Sequence, residues 1–151
     1  MNINNLYFAQ HGIALSKDKN PDRPLSDTGI AQTKTVAECF IRSNLTINQI
    51  FHSGKLRAQQ TAEIFASILN IDTPSPIKNF SPNDDVKLAT AGLNIEGALY
   101  VGHLPQLEKL VSYLLCQDEN AKIIQFQNSA IVCLKKNNGQ FLLTAYIPPE
   151  R

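Results

Sequence analysis

The chain has 151 residues, the size of one ordinary domain, and a hydrophobic fraction of 43% is enough to bury a core, so a single domain over 1–151 is expected. Lys and Arg total 14 against 13 Asp and Glu, and a net charge of +1 provides no global basic field for sequence-independent nucleic-acid binding, leaving room only for a local anion site. No apolar run approaches the roughly 18 residues of a membrane span, and the start MNINNLYFAQ has neither a basic leader nor a cleavable apolar stretch, which predicts a soluble cytoplasmic protein with no membrane partner.

The first element is LYFAQ, Leu6 to Gln10, an apolar and aromatic run that stops at His11-Gly12 and reads as a buried strand ending at a tight turn. Polar residues from Ser16 to Arg23 form a loop, after which Ser26 is placed to cap a helix. Its apolar positions Ile30, Ala37, Phe40 and Ile41 recur at helical spacing, and the helix is expected to run to about Ser43. Ile50 and Phe51 mark a short strand ending near Ser53-Gly54, and Leu56, Ala62, Phe65 and Leu69 a second amphipathic helix. The Pro-, Asn- and Ser-rich segment TPSPIKNFSPNDD is connection, with a short strand at Ile77 and a short helix from Asp84 to Ala91. ALYVGH, Ala98 to His103, is an apolar strand running into a turn, and Pro105 suits the first turn of a helix reaching Leu115. Two further strands are expected at Ile123 to Phe126 and Ala130 to Leu134, and a last one at Phe141 to Ile147, with Asn137-Asn138-Gly139 as a hairpin turn. Alternating strands and helices predict a three-layer α/β/α sandwich around a mixed, mostly parallel sheet with an antiparallel hairpin at its C-terminal end.

In open sheets of this kind ligands bind beyond the carboxyl ends of the strands, and His11, Ser53 and His103 each fall just after such a strand. Gly12 lets backbone and ligand approach the His11 imidazole closely. Taken alone, the tripeptide better describes a loop histidine bonded to a carbonyl. His103, in Gly102-His103-Leu104-Pro105, repeats the pattern of strand end, histidine and helix start, where unpaired N–H groups favour an anion. Arg57 opens the second helix and carries a planar fork of donors suited to phosphate oxygens. For Lys55 and His52, which flank it, a solvated or structural role is the default, and Arg23 either holds its loop or reaches the same rim.

Other chemistries find little in the sequence. Cys39, Cys116 and Cys133 are odd in number, widely spaced and set among apolar neighbours, as small buried hydrophobes are. A zinc site from His11, His52 and His103 lacks a short-spaced ligand pair and a carboxylate, so no metal or other cofactor is expected. There is no GxSxG elbow and neither a GxxxxGK[ST] nor a GxGxxG nucleotide fingerprint.

LYFAQHGIA, RPLSDTGIAQ, SGKLRAQQTAEI and VGHLPQLEKLV resemble, in order and spacing, the histidine phosphatase (phosphoglycerate-mutase-like) superfamily over nearly the whole chain. The short length, the GHLP box and the segment NSAIV, Asn128 to Val132, look most like its small SixA-type phosphohistidine phosphatases. The resemblance implies that His11 is the nucleophile that becomes transiently phosphorylated, Arg57 the second phosphate-binding arginine and His103 the second histidine of the phosphate pocket. It adds Gln10 and Gly12 to the phosphate-binding set. Gln10 is the departure, because the family motif has arginine immediately before the nucleophile and glutamine carries neither charge nor rigid fork.

The expected activity is metal-independent hydrolysis of phosphohistidine on a histidine phosphotransfer protein of a signalling relay or transport system, with inorganic phosphate or sulfate able to occupy the pocket. The competing expectation is a weakened pseudo-phosphatase that uses Arg57 and His103 to bind phosphate or phosphohistidine. A small-molecule phosphomonoesterase is disfavoured by the absence of an acid in GIALS after His11, with Asp84 or Asp85 the only proton carriers that suggest themselves.

Overall fold

The structure is a computed structural model that describes residues 3–149. Strand β1 (Asn5–Gln10) is apolar on both of its faces because both are covered: Tyr7 and Ala9 point to one helical layer, Leu6 and Phe8 to the other. Helix α1 (Asp27–Ile41) begins where Ser26 Oγ accepts from the Gly29 amide, as its sequence predicts. Then come β2 (Gln49–His52), α2 (Leu56–Leu69), a two-residue β3 (Ser75–Pro76), α3 (Val86–Ala91), β4 (Ala98–Gly102), α4 (Gln106–Cys116), β5 (Ile131–Asn137) and β6 (Gln140–Ile147).

The six strands form one sheet in the order β3-β2-β4-β1-β5-β6, parallel from β3 to β1 and antiparallel from β1 to β6. Helices α1 and α2 pack Val36, Ala37, Phe40, Ala62 and Phe65 against one face. The other face receives Val86 and Ala89 of α3 and Leu107, Leu110 and Val111 of α4. Tyr100 anchors that side, with Phe8, Phe51 and Phe80 stacked on its ring at centroid distances of 5.7, 5.4 and 5.1 Å. The hairpin turn Asn138-Gly139 has φ of 54° and 79°, the left-handed pair that a two-residue connection requires.

Two expectations are corrected. Ile123 to Phe126 is not a strand, because its backbone is held by a side chain: Tyr146 Oη donates to the Gln125 carbonyl at 2.9 Å and accepts from the Gln127 amide at 3.0 Å. Both edges of β1 are already taken by β4 and β5, so the apolar run contributes packing, with Phe126 buried, and no ladder. The short strand near Ile77 lies just before it, at Ser75–Pro76, and Ile77 closes it by donating its amide to the His52 carbonyl at 2.8 Å.

The loop after β1 is fastened to the start of α1. The Ile13 carbonyl accepts from the Ser26 amide at 2.9 Å and from Ser26 Oγ at 3.1 Å, and it presses on Gly29 so closely that a Cβ there would fall well inside contact distance. Alanine is the better helix former by roughly 1 kcal/mol. Gly29→Ala is nevertheless expected to destabilise by about 2 kcal/mol net, or roughly 4–8 °C in a thermal melt, since it must displace this loop. A melting temperature equal to or above that of the wild type would contradict the packing described.

Candidate active site

Strand register builds the site. On adjacent parallel strands Gln10 pairs with Gly102 and His52 with Val101, so the next residues, His11, His103 and Ser53, leave the sheet side by side at its carboxyl edge. The rings of His11 and His103 lie 5.0 Å apart between centroids, close to the spacing of the strands that carry them.

His11 is held on every side. Its amide donates to the Gly102 carbonyl at 3.0 Å, and its carbonyl accepts from Asn128 Nδ2 at 2.9 Å. The next amide, of Gly12, donates to Thr61 Oγ1 at 2.9 Å. A Cβ on Gly12 would meet Ser129 Oγ at 2.9 Å and Thr33 Oγ1 at 3.0 Å, so glycine is required there for close packing. His11 Nδ1 lies 2.7 Å from the Gly12 carbonyl oxygen. A carbonyl only accepts, so Nδ1 carries the hydrogen and Nε2 keeps the lone pair. The carbonyl bond expected of a loop histidine is therefore present, and it leaves Nε2 with its lone pair.

The electrostatics keep both rings neutral. Burial, opposed by the Gly12 carbonyl and reinforced by the charges of Arg57 and Arg23, pushes the His11 pKa down to about 4. His103, which is buried, is pushed down to about 3 by burial and then by His11, Arg57, Lys55 and Arg23. Arg57 itself is lowered by burial and by Arg23. The charges acting on the two rings are thus all basic, and Arg23 is among them, with its Nε donating to the Leu15 carbonyl at 3.0 Å. Arg57 Nε and His103 Nδ1 are buried without a partner among the described residues. Two idle N–H or lone-pair positions amid excess positive charge are what an oxyanion with several acceptor oxygens satisfies.

The family description "Histidine phosphatase superfamily (branch 1)" matches residues 6–78, the stretch that carries His11, Arg23 and Arg57. The chain belongs to the histidine phosphatase superfamily. An uncharacterized Picosynechococcus protein is 34% identical over 111 residues, covering 68% of this chain and 67% of that one. Phosphohistidine phosphatase SixA of Escherichia coli is 28% identical over 145 residues, 90% of this chain and 89% of SixA. Among solved structures, the protein histidine phosphatase SixA in complex with tungstate superposes with a TM-score of 0.84 at 25% identity, over 96% of this chain and 97% of that one. The fold of a putative SixA from Agrobacterium tumefaciens matches with a TM-score of 0.79 at 22% identity, over 99% of this chain and 100% of that one. The chain is therefore SixA-like within the histidine phosphatase superfamily.

Several residues of the chain are placed otherwise than their sequence context suggests. The α4 start does not present free amides to His103: the Gln106 amide donates to Pro82 O at 3.2 Å and the Leu107 amide to His103 O at 3.0 Å. His52 is turned to the turn that follows it, where Nδ1 accepts from the Gly54 amide at 3.0 Å. Among the described residues no group of three or more His, Cys, Asp or Glu is arranged to hold a metal ion. Asp84 accepts from the Ser81 amide and Asp85 caps α3 at the Lys87 amide, so both carboxylates serve the loop. Thr61, Asn128, the Ser129–Thr33 hydroxyl pair, 2.7 Å apart, and the contact of Ser53 with His103 are not singled out by sequence reasoning, which places Ser53 at the rim without a partner. Their partners lie 49 to 117 residues away, and only the strand-end position of Ser53 and the NSAIV segment hinted at any of them.

The depressed histidines have a linkage consequence. In the unfolded chain they bind protons near pH 6.5, in the folded chain only near pH 4 and 3, so the unfolded state binds more protons between these values. Their contribution to stability is complete above about pH 6.5 and is lost as pH falls toward the folded values. Thermal melts between pH 7.5 and 4.5 are expected to show a shallower decline for His11→Gln than for the wild type. Parallel curves would contradict the depressed pKa of His11.

Proposed function

We propose that this chain is a metal-independent phosphohistidine phosphatase working through a phosphorylated His11. The observation that carries the reading is the His11 ring itself: Nδ1–H fixed on the Gly12 carbonyl, Nε2 bearing its lone pair, burial holding the imidazole neutral, and His103 with its unpartnered Nδ1 alongside. A neutral imidazole nitrogen attacks phosphorus in line while donors hold the equatorial oxygens, so catalysis is mostly placement and electrostatics. The P–N bond of the incoming phosphohistidine breaks as phosphorus bonds to His11 Nε2, and the departing imidazole keeps the electron pair and takes up a proton. Water then adds to phosphorus, the bond to Nε2 breaks, and inorganic phosphate leaves.

Arg57 and His103 are the oxyanion donors in this reading, with charge added by Arg23 and Lys55. The tungstate bound by the SixA structure is a tetrahedral oxyanion of the same shape as phosphate, which supports the binding of an oxyanion by this chain. A phosphoramidate suits a site whose acting charges are all basic, because imidazole leaves more readily than an alkoxide and has less need of a carboxylic acid. An open groove of about 580 Å³ begins at Ser53 and is lined by Pro76, Ile77, Lys78, Asn79 and Ser81. It gives the leaving group, a histidine on a phosphotransfer protein, a place to lie beside the pocket.

Gln10 favours a second reading. The resemblance to the family implies arginine where this chain has the uncharged amide of Gln10, and loss of one preorganised donor typically costs on the order of 100-fold to 1,000-fold in turnover. In that reading the chain binds phosphate or phosphohistidine through Arg57 and His103 and turns it over poorly. One assay separates the two. The wild type, incubated with a phosphohistidine protein or a phosphoramidate, is expected to release phosphate with an acid-labile label on His11, chelators having no effect. His11→Ala is expected to lose turnover by on the order of 10,000-fold. Gln10→Arg is expected to exceed Gln10→Ala by roughly 30-fold, the equivalent of about 2 kcal/mol of transition-state stabilisation. Binding of phosphate without turnover by the wild type would favour the binding module. Equal rates for wild type and His11→Ala would remove the nucleophile assignment.

A further inference from the structure

Ser53 stands at the end of β2, one strand away from His103, and its Oγ lies 2.6 Å from His103 Nε2. A contact that short between a hydroxyl and an imidazole nitrogen is a hydrogen bond whose direction depends on which atom carries the proton. Two observations bear on the direction. Ser53 Oγ accepts from the Lys55 amide at 3.3 Å, which occupies one of its two lone pairs and leaves its own hydrogen available to the ring. The other ring nitrogen, Nδ1, is buried in a residue only 1% exposed and has no partner among the described residues. Were Ser53 the acceptor, Nδ1 would be a buried lone pair set toward the oxygens of an anion, which repel it. With Ser53 as donor, Nδ1 carries a hydrogen that an anion oxygen can accept.

We propose that Ser53 is a positioning residue: its hydroxyl donates to His103 Nε2 and so fixes the tautomer in which Nδ1–H is presented to a bound oxyanion. The inference rests on the reading of this pocket as an oxyanion site. It gives His103 the role of a neutral donor, which suits a position shared with His11, Arg57, Lys55 and Arg23, where a further full charge is opposed. It also pairs the two histidines in a complementary way. A backbone carbonyl sets His11 with the lone pair on Nε2, a serine hydroxyl sets His103 with the hydrogen on Nδ1, and the two rings face the same phosphoryl group as nucleophile and donor.

The chain contains three histidines, so the imidazole nitrogens can be followed individually by ¹⁵N NMR on the full-length protein. In the ligand-free wild type His103 is expected to carry its proton on Nδ1, with Nε2 showing the shift of an unprotonated, hydrogen-bonded nitrogen. Ser53→Ala is expected to spread the proton over both nitrogens and to weaken binding of inorganic phosphate about tenfold, the usual size of one lost hydrogen bond. Ser53→Thr, which keeps the hydroxyl, is expected to restore both. A wild-type His103 protonated on Nε2 would overturn the proposal, as would an Ser53→Ala variant with unchanged tautomer and phosphate affinity. If that variant does not fold, the wild-type spectrum decides alone. Failure to find a phosphorylated His11 would end the phosphatase reading and leave the tautomer result standing, so the two failures are distinguishable.

Discussion

All four backbone hydrogen-bonding groups of His11 and Gly12 are engaged, and the partners come from four parts of the chain: Gly102 on β4, Thr61 on α2, Asn128 before β5, and the His11 ring itself. The last of these matters most. Because the Gly12 carbonyl is aimed at Nδ1, the ring cannot choose its tautomer, and Nε2 is left as a lone pair whatever occupies the pocket. The carbonyl can take that aim only if the turn after β1 is tight, and the turn is tight because Gly12 admits Ser129 and Thr33 where a side chain would stand. Much of the molecule serves to hold this dipeptide: the parallel β1–β4 ladder sets its height, α2 supplies Thr61, and the segment before β5 closes over it.

The second constraint is electrostatic and follows from the first. A ring fixed in a buried turn is costly to protonate, and the guanidinium groups of Arg57 and Arg23 raise that cost further. Positive charge gathered around neutral imidazoles is destabilising for the empty protein and favourable once an oxyanion enters. Function and stability therefore pull in opposite directions at the carboxyl edge of the sheet, and the aromatic stack around Tyr100 and the packed helices on both faces carry the fold beneath it.

The sequence disclosed those features whose causes are local. The helix cap at Ser26, the Asn-Gly turn, the apolar runs of β1 and β4 and the punctuation at His11, Ser53 and His103 are all written in contiguous residues. Alternation of strands and helices then placed three strand ends on one rim. What stayed hidden depends on distant partners. The run from Ile123 to Phe126 has strand composition, yet its backbone is claimed by Tyr146, some twenty residues later. Ser53 stands at a readable strand end, but nothing near it says that its hydroxyl meets His103, 50 positions on. Asn128 reaches His11 across 117 positions, and the charge of Arg23 acts on His11 from a loop whose polar composition looks like any other. Gly12 was legible as a tight turn, though its small size serves packing against Ser129 and its amide is committed to Thr61.

The central claim is that Nε2 of His11 is the one nitrogen prepared to bond a phosphoryl centre, with Arg57 and His103 on the oxygens around it. A crystal structure of the protein grown with orthovanadate, which adopts the five-coordinate geometry of phosphoryl transfer, tests it most directly. The account predicts vanadium bonded to His11 Nε2 along the apical direction, its equatorial oxygens in hydrogen-bond reach of the Arg57 guanidinium and of His103 Nδ1. Vanadate bonded to His103, or bound away from the two histidines, would contradict it.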